Sequence, residues 1–369
     1  MLPYLFIFFL ASILFFRAYR KVDFLIYFFV FVSIMMAGLR DMIGGFDVYI
    51  YAEVYEVLRG KYLFIYDTFE KGFLVYYYIL QYIETSREFL FFATALVMTL
   101  LHFYTIKKLS PNVGMSLFIY FCKFFLFSFV YIRQGLAMGI LWLCLSFLIQ
   151  RKYWYVLPFI VLTFFFHKSS IAFAPFLLAA HWKFKQEQLA LIAFTILFIS
   201  VTPLGIFLTS FVAESADSEK LSIYTNKSGG INFFYLIEGG LGILLSILFQ
   251  KYFYKNQRET VIFNGFFMYS VMILAGLTNA TFIRFSWYYF IFVVIALPYI
   301  YYYYKLENIQ FKSIFKILLF LYYSLVFFRL LIVYDGGDFM PYKTIFQDFE
   351  RNGKWEFMEY RQRHGIPND

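Results

Sequence analysis

The residues in this chain that stand out as able to meet a phosphate or move a proton sit mostly where apolar runs end. Arg40, Asp41 and Asp47 fall in AGLRDMIGGFDVYIYAEVYEVLRG, residues 37–60. Arg133, with Gln134 beside it, stands at the sharp join of two apolar runs, and Arg284 lies in NATFIRFSWYY. A guanidinium offers five donors in one plane, which matches phosphate oxygens. The competing reading of Arg133 and Arg284 is a side chain snorkelling from a helix end. His167, between FFF and KSS, is either a general base or phosphate donor, or a hydrogen-bonded interfacial histidine. Glu70, in DTFEKGF, is either a cap on the helix that follows or a catalytic or sugar-binding carboxylate. Tyr334 to Phe346 reads YDGGDFMPYKTIF. Its Asp335, Asp338 and Tyr342 suit an ordered loop with sugar contacts.

The elements that must position these groups are apolar. Of 369 residues, 62% are hydrophobic and 15% charged, against about half and about a quarter in soluble domains. Apolar runs recur from end to end, which predicts an all-α polytopic membrane protein, one transmembrane domain over residues 1–369. The basic residues lie mostly in short loops, where they set orientation. With Arg17, Arg20 and Lys21 inside, the count is about twelve transmembrane helices with both ends outside. Residues 39–88 then form an outer-face loop with short interfacial helices. Residues 211–232 form a second outer loop, and 334–369 an outer C-terminal segment. Gln188 to Thr209 reads as one span. Gly44-Gly45 permits a sharp turn after the membrane. Beyond it, Phe46, Ile50, Val54, Val57 and Leu58 recur at helical spacing, with Glu53, Glu56 and Arg59 on the other face. Phe73 to Ile83 is too short to span and reads as an interfacial or re-entrant helix.

This topology gathers Arg40, Asp47, Glu70, Arg133, His167, Arg284, Asp335 and Asp338 on one face. Ionisable groups at the membrane are costly and mark function by default. The net charge of +9 belongs to the loops and implies no nucleic acid. Cys122 and Cys144 fall inside apolar runs and suit buried thiols. No two histidines stand at metal-ligand spacing, so no metal is expected. No phosphate-cradling glycine loop or nucleotide fingerprint is present, so an activated sugar donor would be lipid-linked.

GLRDMIGGFDVYIYAEVY resembles the R-D-x-x-x-G-x-D-x-x-x-Y-x-x-x-Y signature of EpsG-family membrane proteins. FEKGF at 69–73, YIRQGLA at 131–137, FHKSSI at 166–171, Arg284, and PYKTIF at 341–346 follow the same order. The resemblance implies a GT-C-like, Wzy-type O-antigen or exopolysaccharide polymerase in the bacterial inner membrane, its site facing the periplasm or the outside. The implied substrate is an oligosaccharide linked to undecaprenyl diphosphate, with no cofactor. Implied partners are membrane lipid and the chain-length regulator and flippase of the same pathway. On that footing Arg40, Arg133 and Arg284 would meet the diphosphate. His167, Asp47 or Glu70 would take the acceptor proton. Gln134, Tyr49, Tyr51, Asp335, Asp338 and Tyr342 would bind substrate. A glycan ligase, or a flippase or polysaccharide transporter, is the alternative. The transporter predicts charge lining mid-membrane on both sides, whereas charge here gathers on one.

Overall fold

The computed structural model describes residues 1–17, 22–216, 231–303, 309–334, 338–349 and 351. Asp335, Arg20, Lys21, most of the 211–232 loop and most of the C-terminal segment lie outside the described residues. Among the described residues the chain is helical, and pairing between extended segments is confined to one bridge, Arg40 to Thr344.

Helices follow the apolar runs, and their starts follow capping chemistry. Asp23 accepts from Ile26 N at the head of Phe24–Gly38, Ser86 caps Arg87–Leu109, and Asn112 caps Val113–Phe124. Each supplies an oxygen to an orphan N–H of the first turn. Two hydrogen bonds from Arg17 hold the Asp23 carboxyl below the usual carboxylate range. Among the described residues five helices are long and apolar enough to cross a membrane, or six if one bent pair counts as a span. Five shorter apolar helices accompany them, Leu2–Phe16 and Phe24–Gly38 included. The chain is a multi-pass membrane protein.

The single span expected over Gln188 to Thr209 is broken. Gln186–Ser200 and Pro203–Phe211 meet at 88°. Pro203 lacks the N–H needed to continue the first helix. Thr202 accepts from Gly205 N through its side chain, and a Cβ at Gly205 would lie 1.9 Å from the Ile199 carbonyl oxygen. Phe211 to Ala216, expected in a loop, extend the second helix. After the Tyr153–Phe166 helix comes a 3-10 turn over Lys168–Phe173, followed by Phe176–Ala179.

The chain divides into two compact units, Met1–Gly139 with Leu306–Asp369, and Ile140–Lys305. In the first, Leu2–Phe16 packs on Val113–Phe124 and Phe24–Gly38 on Arg87–Leu109. Phe8, Phe15 and Phe118 interleave with Phe320 and Phe327 of Ile309–Val333. Gly139 admits His102, whose ring nitrogens pair with the Tyr120 hydroxyl at 2.6 Å and the Gly135 carbonyl at 2.9 Å. In the second unit Phe233–Phe253 and Gln257–Ala275 pack closely, because a Cβ at Gly242 would lie 2.0 Å from Ser270 Oγ.

The residues 39–45 turn has a backbone that only glycine tolerates at one point. Gly44 has φ +129°, and a Cβ there would meet Val48 Cγ2 at 2.8 Å and Val130 Cγ2 at 3.1 Å. Gly44→Ala is expected to destabilise the protein by about 2 kcal/mol, within the range for a strained backbone position. A thermal melt of the detergent-solubilised protein checks this, and an unchanged midpoint contradicts it.

Candidate functional site

The first unit carries a cluster built around Arg133. This residue lies in the first turn of the Ile132–Leu143 helix, which follows the short helix Phe127–Val130 after a break at Tyr131. Its Nη1 donates to Glu70 Oε2 at 2.6 Å, and both side chains are only 7% exposed. Its Nε donates to the Tyr51 hydroxyl at 3.3 Å, and Nη1 also reaches the Thr68 carbonyl at 3.4 Å. The guanidinium lies 4.6 Å from the centre of the Phe69 ring. An aromatic face stabilises a cation where water is scarce.

The FEKGF segment explains Glu70. It is the last extended residue before the Lys71–Gln81 helix, where its side chain makes no cap and is directed to Arg133 instead. Tyr51 lies one helical turn after Asp47 on Phe46–Val57. Burial raises the Tyr51 phenol well above its usual range, opposed by Arg133 and reinforced by Asp47 and Glu70. Tyr51 therefore stays neutral, and one guanidinium and two carboxylates act on it. Tyr77 fixes it from behind by donating to its carbonyl at 3.1 Å.

Arg40 is held by backbone carbonyls rather than by a carboxylate. One terminal nitrogen donates to the Ala37 carbonyl, the other to the Phe129 carbonyl at 2.7 Å. Its guanidinium lies between the Phe91 and Phe129 rings, 4.6 and 4.8 Å from their centres. Burial pushes its pKa down to about 10, which leaves it charged at neutral pH. In this geometry Arg40 ties the turn to the segment that precedes Arg133. Tyr49 and Tyr51 are also buried, 2% and 3% exposed, and offer no open ring face to a sugar. Of the apolar positions expected on one face of Phe46–Val57, Val54 is buried and Phe46 and Ile50 are half-buried. Val57 is 67% exposed, while Tyr49, Tyr51 and Tyr55 face inward. Tyrosine can be buried when its hydroxyl finds a partner, as Tyr55 does on the Glu84 carbonyl.

The C-terminal segment returns to the same turn. Asp41 N donates to the Lys343 carbonyl and Ile345 N to the Leu39 carbonyl, each at 3.0 Å. Lys343 Nζ and Asp41 Oδ2 stand 3.1 Å apart, both largely buried. Arg351 donates to the Asp338 and Met42 carbonyls. Asp338 is buried, and the Tyr342 hydroxyl donates to the Met36 carbonyl at 2.8 Å. Removing one partner of a buried ion pair costs about 3–5 kcal/mol. Lys343→Met is expected to lower the melting temperature, and the Asp41→Asn/Lys343→Met pair to recover most of the loss. Equal melting of single and double variants would contradict this account of the pair.

In the second unit, His167 ends the Tyr153–Phe166 helix and is half-buried. Arg284, also half-buried, opens the 3-10 segment Arg284–Tyr289. The two 3-10 segments pack together. Ser169 Oγ and the Tyr288 hydroxyl are 2.9 Å apart, and the Tyr289 hydroxyl donates to the Ala172 carbonyl at 2.8 Å. Trp142 Nε1 donates to the Tyr288 carbonyl at 2.9 Å. Among the described residues no three His, Cys, Asp or Glu side chains group as metal ligands would.

The motifs that converge in these clusters are those of one family, whose pattern matches residues 23–344. The chain belongs to the EpsG family. EpsG proteins are Wzy-like polymerases, so this is a membrane protein of the polysaccharide-polymerase type. No curated protein and no solved structure matches the chain.

The structure of this EpsG-family chain gives each motif a place. The first unit joins the R-D turn, FEKGF, YIRQGLA and PYKTIF; the second joins FHKSSI to the Arg284 segment. Gln134 is buried beside Arg133 on the same helix. Sequence reasoning missed the Asp41–Lys343 pair and the buried Arg351. Lys343 lies inside PYKTIF and Asp41 directly follows Arg40, so the signal was two charges of opposite sign in motifs already singled out.

Proposed function

We propose that this chain polymerises a polysaccharide, moving a growing glycan from undecaprenyl diphosphate to the non-reducing end of a lipid-linked repeat unit. The acceptor hydroxyl forms a bond to the anomeric carbon, and the bond from that carbon to the diphosphate oxygen breaks. The diphosphate leaves as a stable anion, so it needs positive charge more than a proton. The hydroxyl proton passes to a carboxylate or imidazole.

One observation carries the reading: Arg133 is held by Glu70, Tyr51 and Phe69 in a fixed orientation. A guanidinium fixed before substrate arrives loses little freedom on meeting a phosphate. Glu70 is engaged by Arg133 and suits orientation better than proton transfer. Asp47, one turn from Tyr51, is our choice of base, with His167 as the alternative. Arg284 is a further candidate for phosphate contact. Arg40 acts by fixing the turn. The reading includes a GT-C-like arrangement of about twelve membrane helices, a site on the outer face of the bacterial inner membrane, and a chain-length regulator and flippase as pathway partners.

The test is reconstitution of the purified protein in proteoliposomes with lipid-linked repeat units. The reading predicts a ladder of longer lipid-linked chains without added nucleotide. Unchanged repeat units, or their movement across the bilayer without elongation, would overturn it.

A further inference from the structure

A polar cleft of about 290 Å³ opens in the first unit where the C-terminal segment crosses the R-D turn. Asp41, Arg87 and Glu88 line it from the turn and the head of the Arg87–Leu109 helix. Lys343, Gln347 and Asp348 line it from the C-terminal segment. The ring of Phe346, 78% exposed, also lines it. The volume is close to the low end of small-molecule sites, about 300 Å³.

Its charge is slightly negative. Lys343 stands 3.1 Å from Asp41, and Arg87 stands 3.4 Å from Glu88. Asp348 adds a further carboxylate. An anion entering here would face three carboxylates against two cations already opposed by two of them. A diphosphate is therefore disfavoured, and a neutral ligand with many hydroxyls is favoured. Carboxylates accept hydroxyl protons in hydrogen bonds, Lys and Arg donate to hydroxyl oxygens, and the Gln347 amide does both. An exposed aromatic ring gives the apolar face of a pyranose something to pack on.

We infer that this cleft is a saccharide-binding site, and that it takes the terminal sugar of the acceptor glycan. The second clause rests on the polymerase reading; the first does not. Phe346 packs on the sugar ring, Asp348 and Gln347 bind its hydroxyls, and the Asp41–Lys343 pair forms part of the wall. The diphosphate end of a substrate is left to the Arg133 cluster.

The test is saturation-transfer NMR on the full chain in nanodiscs, with a panel of neutral hexoses, 6-deoxyhexoses and N-acetylhexosamines. At least one sugar is expected to receive saturation from the protein. Phe346→Ala and Asp348→Asn, both at exposed positions, are expected to cut that signal at least about fivefold, which is about 1 kcal/mol of binding. Inorganic diphosphate is expected not to displace the sugar. No signal from any sugar, a signal unchanged in both variants, or displacement by diphosphate would overturn the inference. A sugar signal that meets these criteria in a protein that elongates nothing would support the site and count against the polymerase reading alone.

Discussion

Arg133→Gln is expected to lower chain elongation by about 10²–10³-fold, the loss typical when one preorganised donor to a developing anion is removed. The difficulty is that the same change leaves Glu70 buried without its partner, which costs about 3–5 kcal/mol of stability by itself. A fall in activity could then reflect unfolding. Glu70→Gln/Arg133→Gln removes both charges and keeps two side chains that can hydrogen-bond to each other. Replacing both members of a buried pair is far less costly than breaking one. The double variant is expected to melt near the native temperature and still fail to elongate. Arg133→Lys keeps the charge but loses the planar fork and the Nε contact to Tyr51, and is expected to fall between. Elongation assays run beside thermal melts of the same preparations separate the two effects.

Asp47→Asn is expected to cost about 10²–10⁴-fold in turnover, the usual contribution of a positioned base. The side chains are similar in size, and Asn can occupy a helix's first turn, so the fold should survive. A base must be deprotonated to work. Removing a catalytic base flattens the acid limb of the pH–rate profile, so Asp47→Asn is expected to lose a limb that the native protein shows. The pH–rate profile gives a readout that a purely structural role would not move. If Asp47→Asn keeps both the rate and the limb while His167→Ala loses them, the base is His167.

What the sequence made legible follows from which forces are local. Apolar runs place helices: Leu2–Phe16 and Tyr153–Phe166 are each an apolar run in the sequence and one helix in the structure. Hydropathy reports how oily a stretch is but not whether it is straight, so the corner at Pro203 was lost inside one apolar run. The burial of the tyrosines on Phe46–Val57 was missed for a related reason. Hydropathy ranks Ile50 and Val57 above the tyrosines, yet the tyrosines are buried because Glu84, Arg133 and their neighbours satisfy the hydroxyls. Those partners lie far along the chain. Glu70 and Arg133, 63 residues apart, could each be singled out from context, but nothing local pairs them. Arg40 carried a strong motif whose structural use, on the Ala37 and Phe129 carbonyls, appears only when the chain is folded.

The most direct measurement of the central claim is the affinity of undecaprenyl diphosphate for the native protein and for Glu70→Gln/Arg133→Gln in matched nanodiscs. The account predicts binding at least about tenfold weaker in the double variant, or about 1.4 kcal/mol, with unchanged melting. Equal affinity in two equally stable proteins would contradict it, since Arg133 would then have no part in holding the lipid diphosphate.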